Sequence, residues 1–305
     1  MGRRLLWVVV LAGCGGSRVS EEEFLSALPK REQVELAFPD GSVGASKSGV
    51  RSDALVGQTA ELYVVTRTTS ERLNGLVGSV LDTLGRITRT PPTAMDRDRA
   101  VWGPFTPALS PVNYRLVIER VGAAAFAHHL DGRPKSDFSE EAFHPVLAGV
   151  ASPQRQAGHF GIDLNRLHTL DPVGTPQTGA IAFAFEMSPQ QGTIHVHLEN
   201  VGDATSAVSA EYVYAQRRDG SGDFFFVAHP SLSGTTADLD GALIRSRWIL
   251  SGAGRADAHV SDTTGDRDIT ECWDENFARV FFSARPGPSE GDPARCVFAE
   301  PPPSI

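Results

Sequence analysis

The clearest structural signal in the chain lies in residues 180–201, which read AIAFAFEMSPQQGTIHVHLENV. In residues 180–187, and again in 193–201, apolar side chains alternate with small or polar ones, which is the period of two of a half-buried strand. The intervening Ser188–Gly192 contains the proline and glycine that are typical of a short hairpin connection. The stretch therefore predicts two antiparallel strands, each with one buried face and one wet face.

Similar runs continue along most of the chain after Pro92. Where neighbouring runs are separated by only a few residues, as between 187 and 193 and between 250 and 256, the connection permits antiparallel pairing and is too short for the helical crossover that parallel strands need. The other predicted strands are 102–105, 114–121, 123–130 (turned by Asp131-Gly132), 159–164, 210–216, 224–229, 243–250, 256–260, 277–283 and 296–299. We therefore predict a mainly β fold, an antiparallel meander of about nine to twelve strands. Because a sheet of this length twists, we expect it to curl into a half-barrel or a barrel.

One long helix, from about Thr69 to about Thr88, is predicted before the meander, directly after a strand at 61–67. Thr68 and Glu71 fit a capping box at the start of the helix, and a proline pair follows its end. Its apolar residues recur at intervals of three and four, and they are Leu73, Leu76, Val77, Val80, Leu81, Leu84 and Ile87. Because these residues form one stripe, we expect the helix to pack on the sheet.

The N-terminus has the order of parts found in bacterial lipoprotein signals. Arg3 and Arg4 form a positive segment, and the apolar block Leu5–Ala12 is far shorter than the ~20 residues that span a bilayer. The block runs into Leu11-Ala12-Gly13-Cys14, which looks like a lipobox. On these residues the chain resembles bacterial lipoproteins.

This resemblance implies cleavage after Gly13, a diacylglyceryl group on the Cys14 sulfur, and a further acyl group such as palmitate on the new Cys14 amine. Two or more acyl chains anchor a protein stably in a membrane. In this class an aspartate directly after the lipidated cysteine favours retention in the inner membrane. This chain has Gly15 there, which implies an outer-membrane lipoprotein of the cell envelope, facing the periplasm or the cell surface. The alternative is an ordinary signal peptide with a structural Cys14. N-myristoylation is excluded, because its motif needs Ser or Thr where this chain has Leu6.

The predicted domains follow from the signal and from composition. Residues 1–13 are the signal peptide, 14–57 a lipidated tether and 58–305 a single β-rich domain. The tether is predicted because glycine, serine and charged residues dominate there and leave little to bury. Within it we expect a short helix over residues 20–28 and a strand at 33–38.

Charge excludes some classes of partner. The formal net charge is −9, and removal of residues 1–13 would take away Arg3 and Arg4 and bring it to −11. An acidic surface argues against nucleic acid and against electrostatic docking on anionic lipid. We therefore predict that the chain contacts the membrane through the Cys14 lipid anchor. The sequence does not identify a protein partner or an apolar ligand.

The cysteine count predicts a disulfide. The chain has three cysteines, and lipidation of Cys14 leaves Cys272 and Cys296 as a pair in an oxidising compartment. Closing the loop between them stabilises the folded chain by about 3–4 kcal/mol in the chain-entropy model. Two free buried thiols are the alternative.

Histidines provide the first candidate for a metal site. His195, His197 and Glu199 lie on one face of a predicted strand, in steps of about 7 Å. A metal would fit if a neighbouring strand supplied a further ligand. Exposed histidines on a wet strand face explain the same pattern, so we predict no bound metal and no cofactor. His128 and His129 are adjacent and are expected to lie on opposite faces.

Two charged patterns later in the chain have structural explanations. Residues 262–268 with Glu271 have the acidic density of a calcium loop, but they lack the EF-hand spacing, and a solvated hairpin fits better. Arg255 and Asp257 share a strand face with Arg245 and Arg247 one hairpin away, and this set indicates either an ion-pair ladder or a polar binding patch. We favour the ladder.

Two short segments resemble known proteins in their amino-acid sequence. Residues 252–257 and 271–274, GAGRAD and ECWD, are similar to segments of bacterial envelope lipoproteins of uncharacterised function. The resemblance would cover much of the mature region, and it implies no activity.

No sequence motif supports an enzyme. The chain has no Gly-x-Ser-x-Gly elbow, no His-Glu-x-x-His, no phosphate-binding loop and no Gly-x-Gly-x-x-Gly after a strand. We therefore predict no catalytic residue and favour a non-enzymatic, lipid-anchored envelope protein with a binding or structural role. The alternatives are a carrier of an apolar ligand in a cavity of the curled sheet, as in lipocalin-like folds, and a metal-dependent hydrolase that uses His195 and His197.

Overall fold

The computed structural model describes residues 20–39, 55–203, 206–230, 239–263 and 265–299. In these residues fifteen strands form one sheet, and each strand pairs antiparallel with the next one along the chain. The strands are β1 Ala94–Met95, β2 Arg99–Phe105, β3 Val112–Arg120, β4 Phe126–Pro134, β5 His144–Ser152, β6 Ala157–Asp163, β7 Thr178–Met187, β8 Gln191–Gly202, β9 Ala207–Arg217, β10 Gly222–Pro230, β11 Leu239–Trp248, β12 Gly254–Asp262, β13 Gly265–Trp273, β14 Arg279–Arg285 and β15 Ser289–Gly291. The predicted mainly β meander is confirmed.

Four α-helices accompany the sheet in the described residues. They are α1 Glu21–Leu25, α2 Arg31–Val34, α3 Glu61–Ile87 and α4 Leu164–Leu170. At about 1.5 Å per residue α3 is about 40 Å long, and it touches β2 near one edge of the sheet and β13 near the other. A flat sheet would separate those strands by about 53 Å at ~4.8 Å per strand, so the sheet curls around the helix.

The curled sheet does not close. In the described residues β1 pairs with β2 alone and β15 with β14 alone, so both edges stay open. The predicted half-barrel is therefore the better of the two expected shapes, and a closed barrel is not formed. The inner face holds the core, including the stacked rings of Phe160 and Phe183, whose centroids are 5.0 Å apart.

The strand predicted at residues 61–67 is wrong, because α3 already begins at Glu61. The β-branched residues there favour a strand locally, but Tyr63 and Thr66 are buried against the sheet only if the segment is helical. The Thr66 hydroxyl donates to the Leu62 carbonyl at 2.7 Å and lies 2.6 Å from the Ser246 hydroxyl on β11. Tertiary contacts therefore override the local preference.

The predicted apolar stripe of the helix is otherwise confirmed. Leu73, Val77, Leu84 and Ile87 are buried, whereas three other stripe residues are only partly covered. The helix ends at Ile87, as the following prolines predicted.

Residues 20–38 are not a tether, which corrects that part of the prediction. Phe24 and Val34 are buried, and the Phe24 ring packs edge-on against Phe126 of β4 at 5.9 Å. The Asn74 side chain on α3 accepts from the Leu36 N–H at 2.7 Å and donates to its carbonyl at 2.9 Å. The strand predicted at 33–38 is absent, because this segment binds the helix instead of joining the sheet.

Several other elements differ from the prediction. β5, β13 and α4 are present but were not predicted as regular elements, and residues 296–299 form no strand. Asp131 and Gly132 continue β4 instead of turning it, since Arg115 on β3 pairs with the buried Asp131 carboxylate at 3.0 Å.

The start of α3 is held by a buried carboxylate. Glu271 on β13 is fully buried, and its side chain accepts from the backbone N–H groups of Glu61 and Leu62 at 3.0 and 2.5 Å. Arg279 on β14 is 2% exposed; it donates to the same carboxylate and to the Leu55 carbonyl. Burial raises the pKa of Glu271, and Arg279 and the helix N–H groups oppose that shift. Glu271 thus anchors the helix to the sheet.

The outer face of β10–β13 carries the predicted ion-pair ladder. Arg245 binds Asp223 through both carboxylate oxygens, and Arg255 binds Asp257 in the same way. Arg247 also lies 3.6 Å from the Asp257 carboxylate, so these five side chains form one ion-pair ladder, as predicted.

The C-terminal segment covers the ladder. Arg255 also donates to the Phe298 carbonyl at 3.1 Å, and Arg247 lies over the Phe298 ring. The Cα atoms of Cys272 and Cys296 are 5.4 Å apart, which is a distance that a disulfide spans. The two cysteines are therefore close enough to pair, as predicted.

We predict that Glu271→Gln lowers the free energy of unfolding by about 3–5 kcal/mol, because it removes the buried partner of Arg279 and leaves only the exposed Glu61 carboxylate, 3.6 Å away, near that charge. Denaturant unfolding of the purified protein measures the change. Glu275→Gln, an exposed change in the loop after β13, is the matched control and should alter stability little. Equal effects of the two variants would show that Glu271 does not hold the helix.

Candidate functional site

The main cavity lies between the C-terminal half of α3 and the inner face of β3–β6, with α4 along one side. Its volume is about 980 Å³, at the upper end of the range of ligand pockets. Its apolar lining residues are Leu76, Val80, Leu81, Leu130, Val146, Leu147, Ile162, Leu164 and Leu167. A cavity of this kind can hold a long apolar chain away from water.

The cavity arises from an uneven distribution of side-chain size beneath the helix. Near the start of α3, Tyr63 stacks on Phe277 with centroids 4.2 Å apart, and Phe38 packs on Trp248 at 4.7 Å. These rings fill the space between helix and sheet. Beneath the other half of the helix the sheet presents the shorter side chains of leucine, valine and isoleucine, which leave a gap.

The helix side of the cavity explains the three partly covered stripe residues. Leu76, Val80 and Leu81 face the cavity, so they remain partly accessible although they belong to the predicted stripe. Gly85 also lines the cavity, and a Cβ built at this position meets no atom within 4 Å. The wall at Gly85 is therefore open to a larger side chain.

The mouth of the cavity combines polar and apolar groups. Polar side chains line it from the helix and the turn after it, from β3 and from two loops, and they are Ser79, Asp82, Thr83, Arg86, Arg89, Ser110, Tyr114, Asp171, Thr175 and Gln177. Burial, with a smaller contribution from Asp171, raises the pKa of Tyr114, so its hydroxyl stays protonated. In the same two loops Leu109 is fully exposed and Val173 is 91% exposed.

His128 is an unusual buried group on the inner face of β4. It is 2% exposed, and neither ring nitrogen has a hydrogen-bond partner in the described structure. Burial, and then the nearby His129 and His159, lower its pKa to about 4. His129 lies on the other face, as predicted, and its Nδ1 is 2.6 Å from Asp131. His128 is therefore neutral at neutral pH.

We predict that His128 makes the protein less stable in acid. Its folded pKa of about 4 lies below the ordinary 6.5, so the unfolded chain binds more protons between these values. The free energy of unfolding should thus be highest above pH 6.5 and fall by up to about 3 kcal/mol as the pH drops toward 4. Denaturant unfolding as a function of pH, with His128→Leu, measures this contribution.

The variant His128→Leu should lose that part of the pH dependence. His197→Leu, at an exposed position, should keep it. An unchanged pH profile in His128→Leu would contradict the assignment.

The structure places one further carboxylate residue, Glu211 of β9, directly across from His197, but it assembles no set of three ligands there in the described residues. His195, His197 and Glu199 are exposed on the outer face of β8, as the solvated interpretation predicted. The cross-strand neighbours of His195 are Ala184 and Val213. Across the described ranges, no group of three or more His, Cys, Asp or Glu is arranged to hold a metal ion.

The acidic stretch at 262–268 lies at the β12–β13 hairpin, in agreement with the hairpin interpretation. Glu271 does not belong to it, because its carboxylate lies in the core at the start of α3. His259 and Asp268 pair across the two strands at 2.9 Å, and this hydrogen bond raises the pKa of His259.

Lipidation at Cys14 lies outside the described residues, as do the signal peptide and the boundary at residue 13. None of the helices in the described ranges combines the length and the apolarity of a transmembrane segment. Comparison with known proteins finds no matching family model, no matching curated protein and no matching solved structure.

Sequence reasoning did not identify the residues of the cavity. Val146 lies on β5 and Leu164 and Leu167 on α4, and neither element was predicted. The one available signal was the number of apolar residues on α3. The stripe has seven, and this is more than the helix can bury along a single line of contact with the sheet.

Proposed function

We propose that this chain is a lipid-anchored protein of the cell envelope that binds an apolar ligand in the cavity between α3 and the curled sheet. The single observation that carries the proposal is the cavity of about 980 Å³ with an apolar lining. Ligand pockets are concave and combine an apolar wall with polar groups that orient the ligand, and this site has an apolar wall of leucine, valine and isoleucine together with polar side chains from the helix and the loops. No catalytic residue is part of the proposal.

The loops at the mouth support exchange of an apolar ligand with a membrane. Leu109 and Val173 project into solvent from two loops that line the same opening. An exposed apolar residue in each of these two loops favours contact with lipid or with an apolar partner. The proposed anchor at Cys14 would keep the opening near a bilayer.

The other two interpretations have less support. A purely structural role would leave the cavity without a purpose. A metal-dependent hydrolase needs an assembled set of ligands around His195 and His197. Across from His197 stands Glu211, but His195 has only Ala184 and Val213 as cross-strand neighbours, and in the described residues no three ligands are arranged to hold a metal ion. We therefore do not propose an enzyme.

We predict that Gly85→Trp blocks ligand binding while the protein stays folded. Gly85 lines the cavity and a Cβ there meets no other atom, so we expect the added ring to occupy part of the cavity without a clash; replacing a helical glycine should also stabilise α3 by roughly 0.5 kcal/mol. The full chain in non-ionic detergent is labelled with a cetyl alcohol that carries a photoactivatable diazirine, and labelled peptides are mapped by mass spectrometry. Wild-type protein should be labelled on β4–β6 and α4, and Gly85→Trp much less.

Gly75→Trp is the matched control, since Gly75 is also an exposed glycine of α3 with no atom within 4 Å of a built Cβ, but it does not line the cavity. It should keep wild-type labelling. Labelling spread evenly over the surface in the wild type, or equal loss in both variants, would overturn the proposed function.

We predict that Cys14→Ala abolishes lipid attachment and leaves the chain unprocessed or released from the membrane. Mass spectrometry of the N-terminal peptide and membrane fractionation check this result, with Cys296→Ala as a control that should still be lipidated. Normal maturation and membrane retention of Cys14→Ala would refute the anchor without bearing on the cavity.

A further inference from the structure

The helix side of the cavity mouth carries two arginines, Arg86 and Arg89. Arg86 lies in the last turn of α3 and Arg89 in the turn that follows the end of the helix at Ile87, and both line the cavity. Arg86 donates to the Thr83 hydroxyl at 3.1 Å. In the described part of the chain neither arginine has a carboxylate within ion-pair distance.

The two acidic residues of the mouth do not neutralise this pair. Asp82 points to Arg31 of α2 and lies 3.4 Å from it. Asp171 stands on the loop side of the opening, where its carboxylate accepts the Gly174 N–H at 2.8 Å. The helix side of the mouth is therefore positively charged at the point where the apolar lining ends.

We propose that the ligand is an anionic amphiphile, with a long apolar chain in the cavity and a carboxylate or phosphate held by Arg86 and Arg89. This inference rests on the proposed function and deepens it. A guanidinium presents a planar fork of donors that matches the oxygens of carboxylate and phosphate groups. Next to an apolar wall, such a charged contact is screened less than in open water.

A second explanation for the arginines is the C-terminus of α3, whose carbonyl groups attract cations. In that case replacing the arginines would change stability but not ligand preference. The two explanations are separated by measuring binding and unfolding on the same variants.

The experiment uses the diazirine–cetyl alcohol labelling of the full chain and competes it with four unlabelled amphiphiles of one chain length. These are palmitate, cetyl phosphate, cetyl alcohol and cetylamine. In the wild type, palmitate or cetyl phosphate should compete about tenfold better than cetyl alcohol, the ratio expected for one added charged hydrogen bond. The better of the two anions identifies the headgroup as carboxylate or phosphate.

The double variant Arg86→Gln/Arg89→Gln should lose the preference for anions and keep its affinity for cetyl alcohol. Arg97 is exposed and does not line the cavity, so Arg97→Gln is the control. It removes one positive charge where the double variant removes two, and it should keep the preference for anions. Equal competition by all four amphiphiles, better competition by cetylamine, or a preference that survives in the double variant would overturn this inference and leave the cavity proposal standing. Competition by none of them, together with no cavity labelling, would refute the cavity proposal itself.

Discussion

The contact between the Glu271 carboxylate and the first two N–H groups of α3 is the constraint on which the remaining structure depends. The carboxylate lies on the inner face of β13, and the buried Arg279 balances its charge. A helix N-terminus attracts an anion because its N–H groups have no partner within the helix. Buried in the core, the contact fixes where α3 begins on the sheet. At the other end, the Trp102 indole donates to the Thr90 carbonyl at 3.1 Å and holds the segment just after the helix.

With both ends of the helix held, the space beneath it depends on the side chains of the sheet. The aromatic residues around Tyr63 pack the first half closely, and α1 and α2 close the side next to it. The cavity lies between the second half of the helix and the aliphatic residues of β4–β6. Since α3 is tied at both ends, it cannot drop into the gap, and the cavity persists. A rigid, pre-formed cavity costs a ligand little ordering entropy, which favours a binding role.

The candidate site was less predictable than the fold, and particular residues show why. His195 and His197 attracted attention because ligand spacing can be read along one strand, yet they face solvent and no set of three ligands is assembled around them in the described residues. The apolar residues of the cavity come from five separate elements. Within its own element each is an ordinary aliphatic residue, and no local pattern marks it as part of a site. Arg86 and Arg89 look like a common basic helix end. Only their position at the rim of an apolar wall distinguishes them.

Local pattern was sufficient for the class of fold. Alternation in residues such as Ile181, Phe183 and Phe185 requires one buried strand face, and short connections require antiparallel neighbours, so the meander follows from the sequence. The cysteine count likewise predicted the pairing of Cys272 and Cys296. The helical state of residues 61–67, the docking of residues 20–38 and the cavity were decided only in three dimensions. Each depends on contacts between residues far apart in the chain, such as Glu271 with Leu62, and such contacts leave no periodic trace in either segment.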